Sequence, residues 1–170
     1  MYKLLGAVLI IFCGIAFGMT LTQRLQKKAD ATTCMISAVR HIANEIEYKL
    51  TPITQIIEEL SEMNGFTGLF FSSLRQKMQT DPEASLIFLW KKTVAEHMEK
   101  YFYPEDARVL LDVGDFLGRY DKIQQVHSLH CAADSLVQRA EELKQTAKTK
   151  GRIYKTCSFA AGLLLVLVLI

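Results

Sequence analysis

Charge is missing from both ends of this sequence. No acidic or basic side chain lies between Lys3 and Arg24, and none follows Lys155. The motifs that announce common chemistries are missing too. There is no P-loop, no GxGxxG and no GxSxG, which removes the usual nucleotide-binding and hydrolase signatures. No HExxH or ExxH occurs, so the zinc-protease and di-iron bundle patterns are absent. The four cysteines, Cys13, Cys34, Cys131 and Cys157, include no CxxC pair. That argues against a disulfide framework and for a reducing compartment. No alternating strand pattern of useful length is found. The three prolines, Pro52, Pro82 and Pro104, all stand where a helix can begin.

The charge that is present has a pattern. Residues 29–147 hold 12 Lys/Arg against 18 Asp/Glu. The short flanks oppose this, with Arg24, Lys27 and Lys28 on one side and Lys148, Lys150, Arg152 and Lys155 on the other. A nucleic-acid binder carries its positive charge on the folded domain, so nucleic acid is not an expected partner. Basic clusters at the borders of apolar runs are juxtamembrane in character. The run 4–23 is 20 residues long, ~30 Å of helix and about one hydrocarbon core. The rival reading is a cleaved signal peptide, but the run is long for one and its basic cluster follows rather than precedes it. The run 156–170 is shorter, and Lys155 can snorkel while Tyr154 sits at the interface. Leu163 to Ile170 is apolar on every face, unlike a helix of a soluble core. The domains expected are therefore 1–23 and 151–170 as transmembrane helices and 24–150 as a cytoplasmic helical bundle. Orientation follows from the Lys/Arg on the domain side of both anchors. Gly14 with Gly18, and Ser158 with Gly162, are small-xxx-small pairs suited to packing between membrane helices.

Between the anchors the pattern is all-α, an antiparallel six-helix bundle with helices near 24–50, 52–63, 66–79, 82–101, 104–118 and 121–149. Thr51-Pro52 and Asp81-Pro82 each put a capping side chain before proline. Glu105 and Asp106 after Pro104 suit the positive end of a helix dipole. Asp121 with Gln124 resembles a capping box, and Asn64-Gly65 marks a break. Leu25, Ala29, Thr32, Ile36, Val39, Ala43, Ile46 and Leu50 form a heptad seam, as do Val126, Leu129, Ala133, Leu136, Ala140, Leu143 and Ala147. These seams predict an antiparallel pair, or two helices each facing the bundle core. Leu86 to Trp90 is a continuous apolar run, read as buried. Val109, Val113 and Phe116 form a second stripe, open to either burial or docking.

Chemistry finds little support. His127, His130 and Cys131 share a helix face, but no second ligand pair exists at metal spacing. Glu45 and Glu47 are two apart and do not share a face as an acid/base pair would. Tyr48 reads as a packing residue closing the first helix. Gly114 to Gly118 suggests a close helix contact or a C-terminal cap. No enzyme, cofactor or metal is expected.

Several segments match a known family in order and spacing. They are Lys3-Leu4-Leu5-Gly6-Ala7-Val8, Glu45-Ile46-Glu47-Tyr48 with Thr51-Pro52-Ile53, Leu117-Gly118-Arg119-Tyr120-Asp121 with Gln125, and Ala161-Gly162-Leu163-Leu164-Leu165. Over its whole length the chain resembles the stage III sporulation protein AB family of endospore-forming bacteria. Lys49 departs from the pattern, where glycine is expected after the tyrosine. The resemblance implies part of a mother-cell complex that, with forespore partners, forms a channel between the two cells. It implies a domain similar to the cytoplasmic domain of the type II secretion and type IV pilus inner-membrane platform protein. The implied partners are a cytoplasmic secretion-type ATPase and other membrane proteins of the stage III sporulation operon, at the mother-cell membrane. Glu45, Glu47, Tyr48, Val109, Val113 and Phe116 are the expected partner-binding residues. The alternative is a membrane sensor or scaffold whose antiparallel coiled coil relays motion between anchors, although almost no residues lie outside to receive a signal.

Overall fold

A computed structural model of the chain describes residues 2–117 and 121–169, with side chains described over 19–20, 22–117, 121–146, 148–149, 156 and 160. Among the described residues there are six α-helices and no strand. They are α1 (Tyr2–Asn44), α2 (Ile53–Ser61), α3 (Phe66–Thr80), α4 (Leu86–Tyr101), α5 (Pro104–Phe116) and α6 (Lys122–Leu169). A π-helical turn, Glu45–Lys49, continues α1. The chain divides into two compact units, Met1–Ala29 with Glu141–Ile170, and Asp30–Ala140.

Among the described residues no helix is long and apolar enough to cross a membrane. The two uncharged ends that carry the anchor expectation lie, but for a few positions, outside the residues whose side chains are described. Gly14, Gly18, Ser158 and Gly162 fall there too.

Within Asp30–Ala140 the heptad seams become core. Thr32, Ile36, Val39 and Ala43 of α1 are buried, as are Val126, Leu129, Ala133, Leu136 and Ala140 of α6. The two helices run antiparallel. Arg40 bonds Asp134 at 2.9 Å, and further along α1 the Glu47 carboxylate stands 3.7 Å from His130. As one number rises the other falls. A second face of α1, with Met35, Ala38 and Ile42, is also fully buried. The shorter helices follow one another in contact, α2 on α3, α3 on α4 and α4 on α5, as short connections favour. Phe70, Phe71 and Trp90 meet edge to face, with centroids 5.2 to 5.9 Å apart, a geometry aromatic quadrupoles prefer.

Helix starts correct two expectations. Asp81 does not cap α4. Residues 82–84 form a turn closed by the Ala84 N–H on the Asp81 carbonyl, and the Ser85 hydroxyl caps the helix by accepting from the Phe88 N–H at 3.3 Å. Thr51 does not cap α2 either, because its hydroxyl donates to Glu45 instead. The Asp121 cap is present: its Oδ1 accepts from the amides of Ile123 and Gln124. Gly65 makes the break at Asn64-Gly65 with φ +80° and ψ −150°, a region essentially reserved for glycine.

Pro104 opens α5 as expected, but Asp106 does more than suit the dipole. It is wholly buried, accepting from the Thr32 hydroxyl at 3.3 Å and from Arg139 Nε at 2.5 Å. One carboxylate thus ties α5 to both α1 and α6. A buried charge needs such partners, since desolvation left uncompensated costs several kcal/mol.

Candidate docking surface

Two regions hold the expected partner-binding residues. The first is the turn after α1. The helix ends because Leu50 takes a left-handed conformation, φ +57° and ψ +29°. This lets the amides of Leu50 and Thr51 both reach the Glu45 carbonyl, satisfying a terminal acceptor in the manner of a left-handed cap. With Lys49 in the place expected for glycine, it is Leu50 that adopts the positive φ. The Glu45 side chain reinforces the same turn. It accepts from the Lys49 ammonium at 2.7 Å and the Thr51 hydroxyl at 2.8 Å. Those bonds, Lys49's first, hold the Glu45 carboxyl below its ordinary value, and the same pairing raises Lys49.

Glu45 is therefore an internal clasp. It is 6% exposed and both its oxygens are engaged, so it is removed from the residues a partner could touch. Glu47 faces outward beside His130, and its carbonyl accepts from the Lys122 ammonium at 2.7 Å. Tyr48 is 77% exposed, which overturns its reading as a packing residue. Beside this turn Ile46, Leu50, Thr51, Ile53, Lys122 and Gln125 line an open hollow of about 290 Å³.

The second region is the groove between α5 and α6. Val109 and Phe116 are half-buried and line it together with Asp112, His127, Cys131 and Ser135, around a volume of about 280 Å³. Val113 does not join them. It is wholly buried, so the three-residue stripe is split between core and surface. The continuous run 86–90 is split likewise: Leu89 and Trp90 are core, whereas Phe88 is 56% exposed.

The histidine–cysteine set is divided by the helix as well. His127 Nε2 lies 3.7 Å from Cys131 Sγ, while His130 turns toward Glu47 on α1. Among the described residues no group of three His, Cys, Asp or Glu side chains is placed to hold a metal ion. The arrangement offers apolar contact framed by charge, the chemistry of a protein interface.

The sequence of residues 3–170 matches the family described as stage III sporulation protein AB. Stage III sporulation protein AB of Bacillus subtilis (strain 168) is 27% identical over 177 residues, covering 99% of each chain. A solved structure of a stage III sporulation protein AB has the same fold, with a TM-score of 0.64 at 17% identity, covering 72% of this chain and 97% of that one.

Proposed function

The chain belongs to the stage III sporulation protein AB family, and from that premise we propose that it is a membrane-anchored platform of the sporulation channel complex between mother cell and forespore, on which a cytoplasmic secretion-type ATPase docks. Family membership carries a role in sporulation, and the relatives are named for that process rather than for a reaction. The chain acts by binding, without catalysis of its own. The observation that carries the reading is the extent of the match, which includes both uncharged ends. Those ends, bordered by seven Lys/Arg, anchor the protein with its helical bundle in the mother-cell cytoplasm. The bundle supports docking because its rigid core leaves Tyr48, Glu47, Val109 and Phe116 at the surface. Other membrane proteins of the operon pack on the anchors through Gly14, Gly18, Ser158 and Gly162.

Two measurements on the full chain test this. Membrane-impermeant thiol reagents added to intact cells should leave Cys131, an exposed thiol, unmodified until the cells are opened. Labelling from outside reverses the topology and ends the proposal. The purified chain should also retain the operon's ATPase, and the double variant Val109→Asp/Phe116→Asp should retain less. Undiminished retention removes the α5–α6 groove from the interface, and no retention by the native chain removes the platform reading.

A further inference from the structure

The left-handed cap that ends the first helix accounts for the backbone of Leu50 but not for the choice of a leucine there. Its φ of +57° is the sole positive φ of a non-glycine residue in the described chain. Side chains with a Cβ are disfavoured there, and glycine or asparagine fits better. The leucine does not earn its place through burial, because it is 70% exposed. A large apolar side chain thus stands in water at a position where backbone physics favours a small or polar one. Such a local conflict, held by the surrounding structure, marks a site used for something other than folding.

The surroundings indicate what the site would receive. The Glu45 clasp fixes the turn and Leu50 forms one wall of the hollow, with Ile46 and Ile53 beside it. Tyr48 is exposed on the same turn. At the rim the Lys122 ammonium donates to a neutral acceptor, the Glu47 carbonyl, and makes no ion pair among the described residues. Of the nearby carboxylates, Glu45 is consumed by Lys49 and Thr51, Glu47 lies toward His130, and Asp121 caps α6 with Oδ1. The rim therefore offers a cation with no ion-pair partner among the described residues next to an apolar hollow.

We infer that this turn is a docking cup for a protein segment that inserts an apolar side chain beside Leu50 and sets a carboxylate against Lys122. A concave, fixed hollow suits a protruding side chain, whereas a lipid surface presents no such projection. The identity of the protein carrying the segment rests on the platform reading above; the chemistry of the segment does not.

A photo-crosslinking residue in place of Tyr48, in the full chain produced in sporulating cells, tests the inference. The crosslinked peptide, mapped by mass spectrometry, should be a single segment with apolar residues and Asp or Glu within one turn. Leu50→Asn, which tolerates the left-handed conformation, and Lys122→Glu should each cut the yield about tenfold or more, the scale of an interface hot spot. Reversing the segment's carboxylate to lysine should restore the yield with Lys122→Glu. Absence of a product, a product with lipid or with another copy of this chain, a segment lacking carboxylates, or a yield insensitive to both variants overturns the inference. A fitting segment on a protein other than the ATPase upholds the inference while counting against ATPase docking here. An ATPase that binds the chain without reaching position 48 does the opposite.

Discussion

The indole of Trp90 lies so close to Gly114 that a Cβ added there would come within 2.6 Å of the ring. The ring is held in place, for its Nε1–H donates to the buried Leu110 carbonyl at 2.6 Å. Two effects of Gly114→Ala therefore oppose each other. Alanine gains about 1 kcal/mol of helix propensity over glycine. The clash pushes a packed, hydrogen-bonded ring, and overpacking of this kind costs about 1–3 kcal/mol. The clash wins, and the variant should lose about 1 kcal/mol, and at most about 2 kcal/mol, of stability in urea melts. A midpoint equal to or above that of the native chain would show that Trp90 can shift freely.

Local chemistry was the legible part of this fold. Seam residues such as Val39 and Leu129 follow from spacing alone, and so does the break at Gly65. What depends on distant partners was not legible. Asp106 meets Thr32 and Arg139, 74 and 33 positions away, and nothing local distinguishes it from a dipole-compensating acid. Ser85 displaced Asp81 as the cap of α4 because the turn at 82–84 delays the helix, and both residues are good caps on propensity. Around the turn after α1 and along α5, exposure is decided by packing, which the sequence does not show. Val113 faces the core, one helical turn from the half-buried Val109 and Phe116. Spacing makes Leu50 the last member of a seam, and a leucine gives no local signal for a positive φ.

That positive φ has a measurable consequence apart from any partner. Leucine in the left-handed region costs about 1–2 kcal/mol, and its mostly exposed side chain returns little through burial. Leu50→Asn or Leu50→Gly should therefore raise stability, with glycine giving back about 0.5–1 kcal/mol in chain entropy. Gly65→Ala should do the reverse. A Cβ there meets nothing within 4 Å, so the loss of about 1–3 kcal/mol would be conformational alone. Thermal or urea midpoints moving the same way at both sites would contradict this account.

The buried Asp106 makes a different prediction, about pairs. Arg139→Met leaves a fully buried carboxylate without its cation and should cost about 3–5 kcal/mol. Replacing both, as Asp106→Leu/Arg139→Met, removes the stranded charge and should cost less than the single change. A double-mutant cycle in urea reads the coupling directly. Additive losses would mean that the two side chains stabilise the bundle independently.

The Glu45 clasp gives a dependence on pH whose sign follows from its bonds. Lys49 and Thr51 hold the folded carboxyl below its ordinary value of 4.5. A depressed carboxyl stabilises the fold above the unfolded value, and that contribution is lost as pH falls through the folded one. Lys49, raised above 10.5, contributes below that value and is lost only as pH rises past it. Glu45→Gln should thus be less stable than the native chain by a constant amount between about pH 5 and 9. The gap should narrow as acid passes below 4.5. Urea midpoints across pH 3 to 9 give the comparison; a gap that stays constant to pH 3 would mean that the ionised carboxylate contributes nothing and that hydrogen bonds to a neutral group suffice to hold the turn.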